Sequence, residues 1–501
     1  MRAIRTSCVV FLVTLAIVTM GLPTRVAAVA SHEPDHGRIR RVLLISIDGL
    51  HSFDLTRYVL TNPSSTLAQL SGTGISYTNA TSSKPSDSFP GLLAMVTGGS
   101  PLSTGVFYDL SYDRTLSPPG SACTSVGTTV DLTGAIDINQ NALDGGGGID
   151  QNKLPRDPGH GCVPVQPHSY VKVNNVFEVA RANGFRTAWS DKHPSYEILN
   201  GPSGRGVDDP YNPEIDADGA SKNLAKTIVY DDLKVRAVIN WIDGKDHTGS
   251  QNARVPGIFG MNFQAVNQGQ KLAGMGYTDS IGTPGISLQT ALDHTDQSLG
   301  LIVNELRAKN LLDSTLIIIS AKHANSAVDV SKRLAVNPNI IPNLVNGVES
   351  GLLGQATPDT IEVLWLRDQS KTGAVVTALA ASQAVAGIEQ ILSGETLKQM
   401  YSDPLLDNRT PDIVVLPNLG VIYTTGTKIA EHGGFSFDDT SVPILVSMPG
   451  FQSATIKTPV QTTQIAPTIL KALGLNPRSL RAVQLEKTSV LPGLEFDEDD
   501  Q

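Results

Sequence analysis

Cysteine is scarce in this sequence, which has three cysteines among 501 residues. Cys8 lies in an apolar segment at the N-terminus, so Cys123 and Cys162 remain for the main part of the chain. In an oxidising compartment, an even pair predicts one disulfide that closes a Gly-rich loop, with two free thiols as the alternative. Two isolated cysteines also argue against a cysteine-based metal site.

Long apolar runs are scarce as well. The longest, over residues 8–22, follows Arg2 and Arg5 and precedes the small residues Ala28-Val29-Ala30, which is the pattern of a cleaved signal peptide. The run is short for a membrane span, and an uncleaved anchor is the alternative. The sequence therefore predicts export to the extracellular, periplasmic or cell-wall space, with no membrane span after cleavage.

Positive charge is in deficit, with 38 lysines and arginines against 48 acidic residues. An acidic chain argues against a nucleic-acid-binding surface. The length suits one large α/β domain with insertions, or two domains. We predict a signal peptide over 1–30, a main domain over 31–490 with a Gly/Pro-rich insertion over 115–172, and an acidic tail over 491–501. The sequence gives no indication of the oligomeric state.

What the sequence does contain is a repeated alternation of apolar strands and amphipathic helices. This alternation predicts an α/β fold with a mostly parallel central sheet and helices on both faces. The predicted strands cover 41–49, 185–190, 258–263, 314–320, 360–366, 413–416 and 442–447. The predicted helices cover 64–72, 174–183, 225–243, 288–312, 374–400 and 463–473.

The segment 84–99 predicts a loop that leads into a helix. Pro90 is tolerated in the first helical turn and not deeper, which places Ser88 at the helix N-terminus. Free backbone N–H groups and the helix dipole favour an anion there, so a serine at this point suits a nucleophile. The alternative is that Ser88 only caps the helix.

Polar side chains follow several apolar strands. Asp48 ends the strand at 41–49, Lys322 and His323 end the strand at 314–320, and His432 precedes the strand at 442–447. In open α/β sheets, ligands bind at the carboxyl ends of strands, which makes Asp48 a candidate metal ligand. The alternative for Asp48 is an ordinary Asp-Gly turn.

These segments together resemble the alkaline phosphatase superfamily, and within it the type I phosphodiesterase/nucleotide pyrophosphatase branch. The resemblance covers nearly the whole mature chain in the family's order. It is carried by VLLISIDG (42–49), KPSDSFPGLLAMVTG (84–98), GVFYDLSYD (105–113), LIIISAKH (316–323), HGGFSFDDTSVPILVSMPG (432–450) and TTQIAPTILKALGL (462–475).

The resemblance implies a secreted, metal-dependent phosphoric-ester hydrolase with Ser88 as nucleophile. It implies that Asp48, His323 and His432 bind divalent metal, one or two ions and by preference zinc. The substrate implied is a small-molecule phosphate ester or nucleotide.

The chain departs from the family pattern at several positions. Lys322 stands where the family has the aspartate of Asp-His-Gly, and Asp109 stands where it has a phosphate-binding asparagine. The family's Asp-x-x-x-His pair follows the strand at 258–263, where this chain has neither an acid nor a histidine. Asp243 and His247 have that spacing one element earlier, as a shifted ligand pair or as a helix end with a polar loop.

The new cation and the new anion suggest a charge exchange. Lys322 would take the place of a carboxylate-held metal and act in catalysis, either by pairing with Asp109 or by binding the anionic substrate. The alternative is a site with one metal, or none held tightly. A phosphonate or sulfate-ester hydrolase using one metal plus Lys322, or a secreted binding protein that has lost turnover, are the alternative functions.

The tripeptide Asp191-Lys192-His193 follows the strand at 185–190. A resemblance to phosphonoacetate hydrolases implies that Lys192 binds a phosphate or carboxylate, with His193 as a ligand or proton donor. The alternative is an ordinary polar turn.

Overall fold

The structure, a computed structural model, describes residues 39–494 and residue 496. The predicted signal peptide and most of the predicted acidic tail lie outside these residues, so both stay predictions. Across the described residues, no helix combines the length and apolar character needed to cross a membrane.

Strands and helices alternate along most of the described chain. The strands are β1 (Arg41–Ile47), β2 (Gly74–Thr81), β3 (Leu110–Asp113), β4 (Thr128–Asp131), β5 (Arg156–Asp157), β6 (Val163–Pro164), β7 (Ala188–Trp189), β8 (Asp209–Pro210), β9 (Ile258–Phe263), β10 (Thr315–Ser320), β11 (Leu334–Val336), β12 (Leu353–Pro358), β13 (Glu362–Leu366), β14 (Ile388–Ser393), β15 (Ile413–Pro417), β16 (Val421–Tyr423), β17 (Ser441–Ser447), β18 (Ala454–Ile456) and β19 (Val460–Gln461). The α-helices are α1 (Ser52–Thr61), α2 (Thr66–Gly72), α3 (Ser88–Thr97), α4 (Pro101–Thr104), α5 (Pro167–Tyr170), α6 (Val176–Ala182), α7 (Leu224–Ile242), α8 (Ala265–Lys271), α9 (Ile286–Ala308), α10 (Ile340–Val348), α11 (Thr372–Ala381), α12 (Gln383–Ala386), α13 (Gly394–Lys398), α14 (Phe437–Thr440), α15 (Ile465–Ala472) and α16 (Arg481–Glu486).

The central sheet has the strand order β18-β2-β17-β10-β1-β9, with β19 also pairing with β2. β1 lies between β10 and β9 and is parallel to both. Only β17 runs antiparallel to its neighbours, β10 and β2. The predicted mostly parallel sheet is confirmed, and the carboxyl end of β1 lies next to those of β10 and β9.

Helices cover both faces of this sheet. Val42 and Leu44 of β1 pack into a hydrophobic cluster that contains residues of α3, α6 and α15. Leu43 and Ile45 point the other way and pack with residues of α7 and α9. Alternate residues of a strand face opposite sides, and each buried aliphatic side chain contributes roughly 1.5–3 kcal/mol. The continuous apolar run of β1 therefore stabilises two cores at once.

A second, antiparallel sheet has the order β12-β13-β15-β14 and its own hydrophobic cluster. The predicted strands at 360–366 and 413–416 belong to it and pair with each other as β13 and β15. The single helix predicted over 374–400 is wrong, because the segment forms α11, α12, β14 and α13. Gly387, with a φ of 65°, ends α12, and the chain then turns back as β14 alongside β15.

The insertion over 115–172 carries short antiparallel strands and the predicted disulfide. The sulfurs of Cys123 and Cys162 are 2.06 Å apart, which confirms the bond. The insertion also packs on the rest of the fold, since Ser195 donates its hydroxyl to the carbonyl of Leu132 at 2.5 Å. Closing a loop between residues 39 apart in sequence restricts the unfolded chain and so stabilises the fold.

A buried glutamate on β13 gives a test of this fold. Glu362 is completely buried, and no described residue donates a hydrogen bond to either of its carboxylate oxygens. Burial, and to a lesser extent Asp359, raises the pKa of Glu362 well above its usual value. The pKa of Glu362 is higher in the folded protein than in the unfolded chain. The contribution of this group to the unfolding free energy is therefore fully present below the unfolded-state pKa, and it is lost as pH rises towards the folded-state pKa.

We expect Glu362→Gln, which resembles the protonated acid, to leave the unfolding free energy nearly unchanged at about pH 5 and to raise it at about pH 8, by roughly 1.4 kcal/mol per unit of pKa elevation. Urea unfolding at the two pH values measures the difference. Glu389→Gln, at an exposed position, is the matched control. Equal effects of Glu362→Gln at both pH values would contradict the assignment.

Candidate active site

Helix α3 brings Ser88 into the site. The helix begins at Ser88, and the N-cap is Asp87, whose carboxylate accepts a hydrogen bond from the Phe89 N–H at 3.2 Å. The alternative that Ser88 is only the cap is therefore wrong. A side chain at Gly91 would lie 2.1 Å from the carbonyl oxygen of Lys322, so glycine allows α3 to pack directly against the chain after β10.

Four strand ends converge beside this helix. Asp48 follows β1, Gln264 follows β9, and Lys322 follows β10 by two residues. Lys192 follows β7, which isolated parallel bridges align with β9. The sheet thus carries these side chains to one edge, as expected for an α/β ligand site.

The Ser88 hydroxyl contacts two basic side chains. The Lys192 ammonium donates to Ser88 Oγ at 2.9 Å, and His323 Nε2 lies 3.3 Å from the same oxygen. The other His323 nitrogen, Nδ1, lies 3.2 Å from the carbonyl oxygen of Ala324, which can only accept a proton. This contact favours the tautomer in which Nδ1 carries the proton and donates it to the carbonyl. Nε2 is then free to accept a hydrogen bond from the Ser88 hydroxyl. Burial lowers the pKa of His323 to about 3, so the ring is neutral.

Asp48 is fully buried, with donors around its Oδ2, whereas its Oδ1 has no hydrogen-bond partner in the described part of the chain. Its Oδ2 accepts the Gln264 amide at 2.6 Å and lies 3.3 Å from the Lys322 ammonium, 3.5 Å from that of Lys192 and 3.7 Å from His323 Nε2. Burial alone would raise the pKa of Asp48, but the adjacent cations, Lys322 first among them, hold it well below its usual value.

Lys322 is also completely buried. Besides Asp48, its ammonium binds Asp191 Oδ1 at 3.1 Å and the hydroxyl of Tyr196 at 3.0 Å. Burial lowers the pKa of Lys322, and the two carboxylates oppose that change. The prediction that Lys322 pairs with Asp109 or reaches the substrate is corrected, because its ammonium is enclosed by Asp48, Asp191 and Tyr196.

His432 forms the other end of the cluster. Its ring stacks on that of His323 with centroids 3.8 Å apart. Its Nδ1 donates to Glu431 Oε1 at 2.6 Å, and its Nε2 lies 3.6 Å from Asp87 Oδ2. The Lys271 ammonium pairs with Glu431 and lies 3.3 Å from His432 Nδ1. Burial and Lys271 lower the pKa of His432, but Asp87 and Glu431 outweigh them and raise it.

Asp109 is half-buried near this end. Burial and the carboxylates of Asp87 and Asp359 raise its pKa well above its usual value. This shift favours the neutral form of Asp109, in contrast to the fixed anion expected from the sequence.

His193 is hydrogen-bonded to Glu214 and not to Ser88 in the described structure. Its Nδ1 lies 2.8 Å from a carboxylate oxygen of Glu214. Burial and the neighbouring Lys192 lower the pKa of His193 to about 3, and burial raises that of Glu214 to about 7. The His193 ring is therefore neutral, and its contact with the carboxyl group places His193 beside Glu214 rather than at the serine.

Asp243 and His247 do not join the cluster. Asp243 Oδ1 pairs with Lys309 at 2.7 Å, and His247 Nδ1 pairs with Asp209 at 2.6 Å. Both residues precede β9, so they lie towards its amino end, whereas Asp48 follows the carboxyl end of β1. The predicted shifted ligand pair is corrected to a helix end with a polar loop.

The residues present do not fit a metal ion. Among the described residues, no group of three or more His, Cys, Asp or Glu side chains is arranged to hold one. At Asp48, the predicted first ligand, two ammonium groups and one amide already surround Oδ2. A metal cation bound to that oxygen would lie against two like charges.

Sequence reasoning assigned no role to Gln264 or Lys271, and it noted Asp191 only as part of a polar tripeptide. Gln264 is the first residue after β9, where the resemblance places an aspartate, so its position alone was the available signal. Lys271 ends α8 and crosses to the loop that holds Glu431 and His432. No local pattern in the sequence indicates that crossing.

Solved structures with the same architecture define the class of the fold. The murine ectonucleotide pyrophosphatase/phosphodiesterase 5 superposes with a TM-score of 0.58 at 13% identity, over 87% of this chain and 96% of that chain. The wild-type alkaline phosphatase PafA gives 0.57 at 12% identity, over 88% and 96%. The human ectonucleotide pyrophosphatase/phosphodiesterase 5 gives 0.55 at 12% identity, over 87% and 95%. The fold is that of the alkaline phosphatase-like enzymes.

A sequence profile gives the family. The profile described as type I phosphodiesterase / nucleotide pyrophosphatase matches residues 42–438. This chain belongs to that family and is a phosphoester hydrolase. Such enzymes typically depend on divalent metals. A search of curated proteins finds no match.

Proposed function

We propose that the protein is an exported phosphodiester hydrolase with Ser88 as its nucleophile, acting on a small phosphate ester or nucleotide. The observation that supports this most strongly is the Ser88 hydroxyl at the N-terminus of α3, between the Lys192 ammonium at 2.9 Å and His323 Nε2 at 3.3 Å. One murine neighbour was solved as an inactive variant with AMP, which supports a nucleotide as a candidate substrate.

In the first half-reaction, Ser88 Oγ attacks phosphorus. The Oγ–P bond forms as the bond from phosphorus to the leaving oxygen breaks, and the electron pair leaves with that oxygen. The Ser88 proton passes to His323 Nε2 and then to the leaving oxygen. A bound anion beside the imidazole raises its pKa, which improves it as a base. The Lys192 ammonium and the N–H groups of α3 face the phosphoryl oxygens.

In the second half-reaction, water attacks the same phosphorus. The new O–P bond forms as the bond to Ser88 Oγ breaks, and His323 moves one water proton to Oγ. The products are an alcohol and a phosphate monoester. Because the serine is regenerated, one enzyme turns over many substrates.

The covalent intermediate is the direct test. With bis(4-nitrophenyl) phosphate, we expect a burst of nitrophenolate close to one equivalent of enzyme, and acid quenching should leave an arylphosphoryl group on the peptide containing Ser88. Mass spectrometry of the digested protein identifies the site. Turnover without a burst and without an adduct would show direct attack by water. Hydrolysis of aryl sulfate or phosphonate alone would point to those substrates instead.

A further inference from the structure

We propose that the ammonium groups of Lys192 and Lys322 supply the positive charge of this active site, so that it binds the substrate phosphoryl group without a metal ion. The proposal rests on the proposed function and deepens it, because it assigns how this member of a typically metal-dependent family holds an oxyanion.

The first support is that the two lysines differ in burial and in the groups that they contact. Lys322 has no exposed surface and is held by Asp48, Asp191 and Tyr196 at 3.0–3.3 Å. The side chain of Lys192 is 13% exposed, and its ammonium lies between Asp48 Oδ2 at 3.5 Å and Ser88 Oγ at 2.9 Å. Lys322 is thus a fixed internal cation, and Lys192 is the cation that a ligand at Ser88 meets.

The second support is charge balance. Two buried carboxylates, Asp48 and Asp191, face two ammonium groups, Lys192 and Lys322. Buried charges persist only when they are compensated, and here they compensate one another. Asp48 Oδ2 also accepts a hydrogen bond from the side-chain amide of Gln264, whose N–H group carries a partial positive charge. A metal cation bound to Oδ2 would have to displace these donors, and one bound to Oδ1 would still lie beside two ammonium groups, whereas an incoming phosphate finds one ammonium already directed at the serine.

The third support comes from the opposite end of the cluster. There the Lys271 ammonium pairs with Glu431 and lies 3.3 Å from His432 Nδ1. The two histidines that resemble metal ligands, His323 and His432, are stacked on each other, and each is engaged by protein groups. Lysines therefore supply positive charge at both ends of the site, and of these lysines Lys192 is the one that contacts the Ser88 hydroxyl.

The test measures phosphate binding apart from turnover. The purified full chain is treated with EDTA and 1,10-phenanthroline, its metal content is determined by plasma mass spectrometry, and inorganic phosphate is titrated by calorimetry. Lys192→Gln is compared with the conservative Lys192→Arg. Lys226→Gln, at an exposed lysine paired with Asp218, is the matched control. Melting temperatures without phosphate show whether each variant folds.

We expect the chelated wild type and Lys226→Gln to bind phosphate with equal affinity, and one equivalent of Zn²⁺ to change that affinity by less than about twofold. Lys192→Gln should bind phosphate about tenfold or more weakly, and Lys192→Arg should recover part of the loss, as for a charge-assisted hydrogen bond. Turnover of bis(4-nitrophenyl) phosphate should survive chelation.

Two other outcomes separate the two proposals. If chelation abolishes phosphate binding and turnover, and Zn²⁺ restores both, the metal-free site is overturned while Ser88 hydrolysis stands. If the chelated protein binds phosphate through Lys192 but hydrolyses no ester, the proposed function fails while the metal-free site stands. Unchanged phosphate binding in a folded Lys192→Gln variant would also overturn the role of Lys192.

Discussion

Replacing Ser88 with alanine is expected to reduce the turnover of bis(4-nitrophenyl) phosphate by a factor of about 10³ or more, because removing a nucleophile leaves only binding and electrostatic stabilisation. Ser88 is 2% exposed and begins α3, and its hydroxyl lies within hydrogen-bond distance of the Lys192 ammonium and of His323 Nε2. Asp87 still caps the helix, so the fold should be retained. The turnover number at saturating substrate and the melting temperature are measured together.

Two further variants make this result specific. Ser103→Ala removes another buried serine hydroxyl, one without a hydrogen-bond partner in the described structure, and should change turnover by less than about twofold. Ser88→Thr keeps a hydroxyl and should retain part of the activity. A folded Ser88→Ala enzyme with more than about a tenth of wild-type turnover would contradict nucleophilic catalysis by Ser88.

The position of Ser88 was predictable from sequence because it depends on short-range physics. Pro90 is confined to the first turn of a helix, and the apolar run that follows has to be buried. The same holds for Asp48, since the continuous apolar stretch before it fits only a strand covered on both faces. These signals lie within a few residues of the side chain that they place.

The contacts that set the charge of the site were not predictable in this way. Lys322 meets Asp191 across 131 positions of sequence, and Lys271 meets His432 across 161. A lysine side chain is long and flexible, so its Cα position does not determine its partner. The sequence indicated that Lys322 was a departure from the family pattern. Its pairing with Asp191 became visible only once the fold placed β7 beside β9, in line with the sheet that contains β10.

The error over 374–400 has a similar physical cause. The alanine-rich composition favours helix through α11 and α12, and a single glycine at 387 is a weak signal to stop. The chain stops because β14 completes a sheet with β15, a partner that lies beyond the predicted helix. Tertiary pairing overrides a weak local preference here.

Replacing Lys322 with methionine is expected to destabilise the protein by about 3–5 kcal/mol at neutral pH, because it leaves the buried carboxylates of Asp48 and Asp191 without their shared ammonium. Methionine fills similar volume, so the loss reports charge rather than a cavity. Urea unfolding followed by circular dichroism measures it. The matched control is Lys309→Met, which breaks the exposed pair with Asp243 and should cost less than about 1 kcal/mol.

A double variant shows whether the lower unfolding free energy of Lys322→Met comes from an uncompensated buried carboxylate or from altered packing around residue 322. Adding Asp191→Asn to Lys322→Met removes one of the two stranded carboxylates, so we expect it to recover about half or more of the lost unfolding free energy. Alone, Asp191→Asn should itself destabilise, because Lys322 then loses a partner at 3.1 Å. Independent, additive losses in the double variant would contradict a coupled ion pair. A Lys322→Met protein as stable as the wild type would show that Asp48 and Asp191 do not depend on the buried ammonium for charge compensation. Lys322 would then not supply positive charge in place of a metal ion.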